Sequence, residues 1–253
     1  MDGGQTFAAS AGELLLGIDT CGPTGSVALG RMGGSETESP VASNLKILGE
    51  IELEARSYSS TLVSAVADLL KTSGVLLNDL AAIVAVHGPG SFTGVRVGLS
   101  AAKGLAEPSQ IPVIAMSRLD VLAAKAGVEA AALDAHRGEV FLRITRPGSG
   151  QRAAGPIEIL ATAAEITALA VPPKQIAVCD DSAAALLTSV WSTVELVNGT
   201  PPAASDALRL AATRVRHSGI PSLAVPDLAL LDGNYLRRSD AEIFGEAAEA
   251  KRR

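Results

Sequence analysis

A strand, a glycine-rich turn and a helix follow one another directly in the first half of this chain. The β-branched apolar run at 82–86 predicts a buried strand, the Gly-Pro-Gly at 88–90 ends it, and a helical pattern starts at about Thr93. Such a turn directs backbone N–H groups and the positive end of a helix dipole to one place, which suits an anion. A tight turn before a helix capped by Ser91 or Thr93 is the simpler interpretation. Both interpretations indicate an α/β fold.

A second strand and turn stand near the N-terminus. The apolar run at 14–18 ends in Asp19-Thr20, and a return strand follows at 25–29. An acidic residue at a strand end, a Gly/Thr/Ser turn and a return strand resemble the first phosphate loop of the actin, Hsp70 and sugar-kinase superfamily. That resemblance implies that Asp19 is a candidate ligand of a metal or its bound water. An ordinary strand-end carboxylate is the alternative.

Further motifs narrow the resemblance. They are Gly-Pro-Gly-Ser-Phe-Thr-Gly-Val-Arg at 88–96, Leu-Asp-Ala-His-Arg-Gly-Glu-Val-Phe at 133–141 and Asn-Tyr-Leu-Arg-Arg at 234–238. With them the chain resembles the TsaB (YeaZ) family, the small subunit of the bacterial machinery that makes threonylcarbamoyladenosine in tRNA. The motifs are clear over roughly 13–145 and weak beyond. The resemblance implies an actin-like/Hsp70-like, ribonuclease H-like α/β fold with two lobes, each with a mixed sheet and flanking helices.

The pattern of apolar runs places this organisation on the chain. The first half predicts the order β-β-β-α-β-α-β, with the second helix over 93–107, and no internal repeat is visible in the sequence. The predicted domains are a flexible tail over 1–12, an N-terminal lobe over 13–115, a second lobe over 116–204, a C-terminal helix and tail over 205–238 that pack back on the N-terminal lobe, and a flexible end over 239–253.

Composition restricts the partners and the compartment. Lys plus Arg number 21 against 27 for Asp plus Glu, so we expect contact with tRNA only indirectly, because gripping phosphates requires clustered Lys and Arg. Cys21 and Cys179 are far apart, with no Cys-x-x-Cys, which indicates reduced thiols. No apolar run approaches the roughly 20 residues that span a membrane, and the first dozen residues do not resemble a signal peptide. These features predict a cytoplasmic protein with no membrane contact.

Two enzymatic functions are the alternatives. An autonomous ATP-binding kinase or ATPase of the same superfamily needs a second phosphate loop; Asp134 and Gly138 are present there, but the segment predicts a hairpin turn without a threonine. Efficient phosphoryl transfer is therefore not expected. A glycoprotease-like peptidase is less favoured, because the sequence contains neither Gly-x-Ser-x-Gly nor His-Glu-x-x-His.

The first helix separates this chain from the catalytic relative in the same pathway. That relative, TsaD, carries a His-x-x-x-His pair that can share one metal, whereas this helix begins Tyr58-Ser-Ser-Thr-Leu62. The resemblance therefore implies a non-catalytic dimerisation or scaffold subunit that needs no cofactor of its own. ATP and a metal ion would enter the assembled complex through TsaD and TsaE. The implied partners are TsaD, TsaE and a second copy of the chain.

The candidate residues form two sets. The first is a vestigial nucleotide loop, with candidates Asp19, Thr20, Ser26, Gly88, Gly90, Ser91, Thr93, Gly94, Arg96 and Asp134. In the second, the resemblance places a partner interface on the first two helices, with candidates Tyr58, Leu62, Val66, Leu69, Val95, Leu99 and Ala102. Glycines inside the second helix cost about 1 kcal/mol each. They favour equally a close approach by a partner backbone and tight packing on the chain's own sheet.

Overall fold

A computed structural model describes residues 12–33, 45–54, 57–145, 155–169 and 171–236. The chain divides into two compact units. Among these described residues, the first unit contains those up to 87, 93–116 and 202–232, and the second contains 88–92, those within 117–201, and 233–236. Of the predicted flexible ends, residues 1–11 and 239–253 lie outside the described residues.

The first unit is built on a five-stranded mixed sheet. In chain order its elements are β1 (Leu14–Asp19), β2 (Gly25–Met32), β3 (Leu45–Leu53), α1 (Tyr58–Thr72), β4 (Leu80–Val86), α2 (Phe92–Ser109) and β5 (Val113–Met116). The strand order is β3-β2-β1-β4-β5, with β1 antiparallel to β2 and parallel to β4. This confirms the predicted β-β-β-α-β-α-β order. All six residues of β1 are buried, which explains why it is almost continuously apolar.

The second unit repeats this topology. Its elements are α3 (Arg118–Ala126), β6 (Ala130–Asp134), β7 (Glu139–Thr145), β8 (Pro156–Thr162), α4 (Ala163–Thr167), β9 (Gln175–Val178), α5 (Asp181–Val190) and β10 (Glu195–Asn198). The sheet order is β8-β7-β6-β9-β10, which matches β3-β2-β1-β4-β5 strand for strand. The two units are therefore one topology used twice, although the sequence shows no repeat.

Helices cover both faces of the first sheet. The long helix α6 (Ala204–Ser218), followed by the short α7 (Ile220–Leu223), packs on one face, where a Cβ at Gly17 would lie 2.9 Å from Leu208. Ile18 points to the other face, and its side chain lies 3.7 Å from the position a Cβ would take at Gly98 of α2. The sheet is thus buried between α6 and α2.

One predicted boundary is wrong. Helix α2 runs from Phe92 to Ser109 and includes Pro108. It does not stop before this proline, because a proline in the last turn removes only one hydrogen bond close to the helix end. Helix α6 belongs to the first unit and Gly233–Leu236 to the second; the predicted division into domains stays a prediction. Within the described ranges, no helix is long and apolar enough to cross a membrane.

Candidate functional site

The turn after β1 directs its polar groups inward. Asp19 Oδ1 accepts the backbone N–H of Cys21 at 2.8 Å, and the Thr20 hydroxyl donates to the Gly94 carbonyl at 2.6 Å. The Cys21 thiol donates to the Val86 carbonyl, with 3.2 Å between sulfur and oxygen. Asp19, Thr20 and Cys21 are all buried. These bonds tie the end of β1 to the first turn of α2 and to the end of β4.

Ser26, predicted as a phosphate-loop residue, supports α6 instead. Its hydroxyl oxygen accepts the backbone N–H of Ala204 at 2.8 Å, and it is buried. Residue Ala204 is the first of the helix, so its N–H has no partner inside the helix. Ser26 satisfies that donor from β2. The hydroxyl of Ser26 therefore serves the fold of the first unit.

The glycine-rich turn combines buried backbone with exposed side chains. Gly88 has a φ of 102°, a conformation that favours glycine, and its carbonyl accepts the N–H of Arg118 at the start of α3, at 2.7 Å. Gly90 is half-buried and Gly94 is buried, whereas Ser91, Thr93 and Arg96 are exposed. The turn is therefore fixed by its backbone and presents hydroxyl and guanidinium groups to solvent.

Asp134 is the counterpart of Asp19 in the second unit. Each aspartate ends the first strand of its sheet, and Asp134 Oδ1 accepts the backbone N–H of His136, two residues on, at 2.8 Å, as Asp19 does with Cys21. The turn from β6 to β7 is a hairpin in which Arg137 and Gly138 have positive φ. This confirms the predicted hairpin turn. The structure places Asp19 and Asp134 in different units.

The seven interface candidates lie on the inner side of their helices. All seven candidates on α1 and α2 are buried in the chain's own core. They cannot contact a partner without opening that core. The seven are Tyr58, Leu62, Val66, Leu69, Val95, Leu99 and Ala102. The spacing of the apolar residues on α1 indicates which residues face outward. An inward stripe at 62, 66 and 69 places 63 and 67 on the outer side of the helix.

The outer side of the two helices is made of small and polar residues. The exposed residues on α1 include Ser60, Val63, Ser64 and Ala67. Among these four, Val63 has the large apolar side chain, and it is 58% exposed. On α2 the exposed residues include Arg96, Ser100 and Gly104. We call these seven residues the outer helix face. Helix α1 lies on the same side of the sheet as α2. On β2, Gly25 faces the Tyr58 ring of α1, and Val27, two residues on, faces the same side of the sheet. Val27 is paired with Ile18, whose side chain faces α2.

The glycines of α2 serve different purposes. A Cβ at Gly98 would lie 2.3 Å from Thr20 Oγ1, whereas a Cβ at Gly104 would meet no atom of the described residues within 4 Å. Tight packing on the chain's own sheet therefore accounts for Gly98. Gly104 is exposed, and none of the residues that the structure describes constrains it in this way.

Tyr58 occupies the position where the catalytic relative is expected to have its first histidine. Its hydroxyl donates to the Gly22 carbonyl at 3.0 Å, and its ring packs so closely on β2 that a Cβ at Gly25 would lie 2.9 Å from it. Leu62, one turn later, is buried. Across the residues that the structure describes, no group of three or more His, Cys, Asp or Glu is placed to hold a metal ion.

Cys179 gives a pH-dependent prediction. Burial raises the pKa of its thiol above the ordinary value, and the nearby charge of Arg118 opposes this. Folding therefore favours the protonated thiol. The resulting contribution to stability is fully present below the ordinary thiol pKa and is lost as the pH rises through the pKa of the folded chain. We expect alkylation of Cys179 to need a higher pH in the folded chain than in urea, measured by mass spectrometry of its peptide. Equal pH midpoints would contradict this.

Comparisons with known proteins identify the group to which this architecture belongs. The model of the TsaD family, tRNA N6-adenosine threonylcarbamoyltransferase, matches residues 51–225, more than half of the chain. The tRNA threonylcarbamoyladenosine biosynthesis protein TsaB of Escherichia coli is 36% identical over 133 residues, 50% of this chain and 52% of that protein. TsaB of Bacillus subtilis is 40% identical over 90 residues, 34% of this chain and 39% of that protein. The chain thus spans about half the length or less of these curated relatives.

A solved structure extends the similarity over most of the chain. YeaZ from Pseudomonas aeruginosa superimposes with a TM-score of 0.66 at 29% identity, covering 88% of this chain and 100% of that one. Together with the two mixed five-stranded sheets and their flanking helices, this match confirms the predicted actin-like, ribonuclease H-like fold class. The family-model match runs from the end of β3 to just beyond α7. The chain belongs to the TsaB (YeaZ) family, within the wider group that the tRNA N6-adenosine threonylcarbamoyltransferase model describes.

Proposed function

We propose that this chain is a non-catalytic dimerisation subunit that binds TsaD, together with TsaE. The complex would transfer a threonylcarbamoyl group to adenosine 37 of tRNAs that read codons beginning with A. TsaD would supply the metal and the acceptor chemistry, and tRNA would meet this chain only through the complex. The observation that carries the proposal is the family match, because the related proteins are named for the biosynthesis of threonylcarbamoyladenosine.

The structure of α1 and of the candidate nucleotide loop favours a scaffold role over a catalytic one. At the positions expected to hold the metal-binding histidines of TsaD, Tyr58 and Leu62 are core residues. Three candidate nucleotide-loop groups already serve the fold: Thr20 bonds Gly94, Ser26 bonds Ala204, and Asp19 bonds Cys21. A nucleotide bound here would have to compete with these bonds. The polar atoms of this loop therefore fit structural duties better than phosphate binding.

The outer helix face is the surface we assign to the partner. It combines small side chains on α1 with the exposed Gly104 on α2, and small residues allow two backbones to approach closely. We expect Val63→Glu to weaken the complex with TsaD at least tenfold, because an interface would bury a charge without a counterion. The measurement is light scattering on a sizing column, with the purified chain alone and then mixed with TsaD from the same organism.

The matched control is Leu230→Glu. Leu230 is also apolar and exposed, at 78%, but it lies in a short turn outside the outer helix face, so its substitution should leave the complex intact. Loss of the complex in both variants would argue against this surface. If the unsubstituted chain forms no complex even with ATP, magnesium and TsaE, the proposed function is wrong.

A further inference from the structure

The carboxylate of Glu158 is a junction for three segments of the second unit. Its Oε1 accepts the Ser117 hydroxyl at 2.5 Å and Arg143 Nη1 at 3.2 Å, and its Oε2 accepts the Asn234 side-chain amide at 2.5 Å. Ser117 precedes α3, Arg143 lies on β7, and Asn234 belongs to the chain that follows α7. One carboxylate thus connects the sheet, a helix start and the C-terminal segment.

This junction is held in place independently of the C-terminal segment. Arg143 Nη2 also contacts Asp120 Oδ1 at 3.0 Å, and the side chains of Arg143, Asp120 and Glu158 are each no more than 15% exposed. A guanidinium between two carboxylates fixes both of them in a low-dielectric setting. Glu158 is therefore presented to Asn234 as an oriented acceptor.

The two residues after Asn234 make further contacts of different kinds. The Tyr235 ring lies 5.0 Å from the Phe92 ring, centroid to centroid, at an angle of 46°. Leu236 packs against the cluster that includes Leu119 and Leu133. Three consecutive residues thus contribute an amide, an aromatic ring and an aliphatic side chain, and each meets a different element of the second unit.

Phe92 connects this segment to the glycine-rich turn. It is the last residue of the turn 88–92 in the second unit and the first residue of α2. Its ring is still 39% exposed with Tyr235 beside it. At the other end of the turn, the Gly88 carbonyl accepts the N–H of Arg118, one residue after Ser117, which bonds Glu158. Both ends of the turn are therefore connected to the Glu158 junction, one through Arg118 and Ser117 and the other through Tyr235 and Asn234.

We propose that Asn234–Leu236 acts as a clasp: its docking on Glu158 and Phe92 holds the glycine-rich turn in one conformation. Docking and turn ordering are then thermodynamically linked, so anything that releases the clasp loosens the turn, and anything that orders the turn tightens the clasp. Glu158 is the positioning residue of this device. The proposal concerns the chain alone and does not depend on the proposed partner.

The test is hydrogen–deuterium exchange of the intact chain, read on peptides that cover 88–92. Tyr235→Ala removes the ring contact, and we expect exchange in the turn to become about two- to tenfold faster, the range of an aromatic pair. Glu158→Gln replaces one of the two carboxylate oxygens, either the one that accepts the Asn234 amide or the one that accepts the Ser117 hydroxyl. It should accelerate exchange in the same peptides. Tyr235→Phe keeps the ring and should exchange like the unsubstituted chain.

Two control variants separate the clasp from general effects. Leu230→Ala trims an exposed side chain nearby in sequence, and Glu129→Gln removes an exposed carboxylate; neither should change exchange at 88–92. The proposal is overturned if Tyr235→Ala leaves the turn at the unsubstituted rate. It is equally overturned if Tyr235→Ala accelerates exchange uniformly across the second unit, because the effect would then be global unfolding and not release of a clasp.

Discussion

Replacing Tyr58 with alanine is expected to lower the free energy of unfolding by about 3–5 kcal/mol, the range for removing a buried aromatic side chain. Tyr58 is buried, and its ring lies so close to β2 that a Cβ at Gly25 would be 2.9 Å from it, so removing the ring leaves a cavity between α1 and β2. The substitution also leaves the Gly22 carbonyl without the hydroxyl that donates to it. Denaturant unfolding of the two chains measures the difference.

Tyr58→Phe is the matched variant. It keeps the ring and removes the hydroxyl that donates to Gly22, so we expect a loss of about 0.5–1.5 kcal/mol, the net value of one hydrogen bond. If both variants lose the same amount, the hydroxyl and not the packing of the ring holds α1 against β2. If neither changes stability, Tyr58 is not the core residue that the structure describes.

Gly98→Ala is expected to destabilise the chain by about 1–3 kcal/mol, the range for overpacking a core. In a helix, alanine is ordinarily better than glycine by about 1 kcal/mol, so the sign is opposite to the propensity. The reason is the contact with Thr20, whose Oγ1 would lie 2.3 Å from the new Cβ. Thr20 is fully buried and bonded to the Gly94 carbonyl, so it has little freedom to move away.

Gly104→Ala is the control within the same helix. In the described part of the chain, no atom lies within 4 Å of the position its Cβ would take, and we expect a gain of about 1 kcal/mol from helix propensity alone. A double-mutant cycle with Thr20→Ala should recover part of the loss at Gly98, because it removes the clashing oxygen. Destabilisation by both glycine substitutions, or none by Gly98→Ala, would contradict the packing that assigns Gly98 to the chain's own sheet.

Local patterns predicted most of the elements of the fold. The apolar runs at 14–18 and 82–86 are strands β1 and β4, and the return strand predicted at 25–29 lies within β2. Each of these depends on neighbours in sequence: side-chain period, turn residues and caps. The predicted helix end before Pro108 was wrong, because this proline lies in the last turn of α2 and removes only one hydrogen bond there.

The candidate sites depended on contacts that sequence spacing does not contain. Ser26 is separated from Ala204 by 178 residues, yet its hydroxyl bonds the start of α6. The apolar stripe of α1 was predicted as an interface, but it packs in the core, because β2 and β3 lie against that side of the helix. The resemblance implied a partner-binding face on the first two helices, and that face stays a prediction.

The sequence by itself determined the α/β class, the order of the elements and the family, because periodicity and short motifs are properties of neighbouring residues. Only the tertiary structure decided that the two units share one topology, that Gly98 belongs to the chain's own packing and that Asn234–Leu236 docks at Glu158. These features join residues far apart in the chain, such as Glu158 and Asn234, 76 positions apart. Such pairs meet only when burial of the whole core brings their elements together, so no local pattern records them.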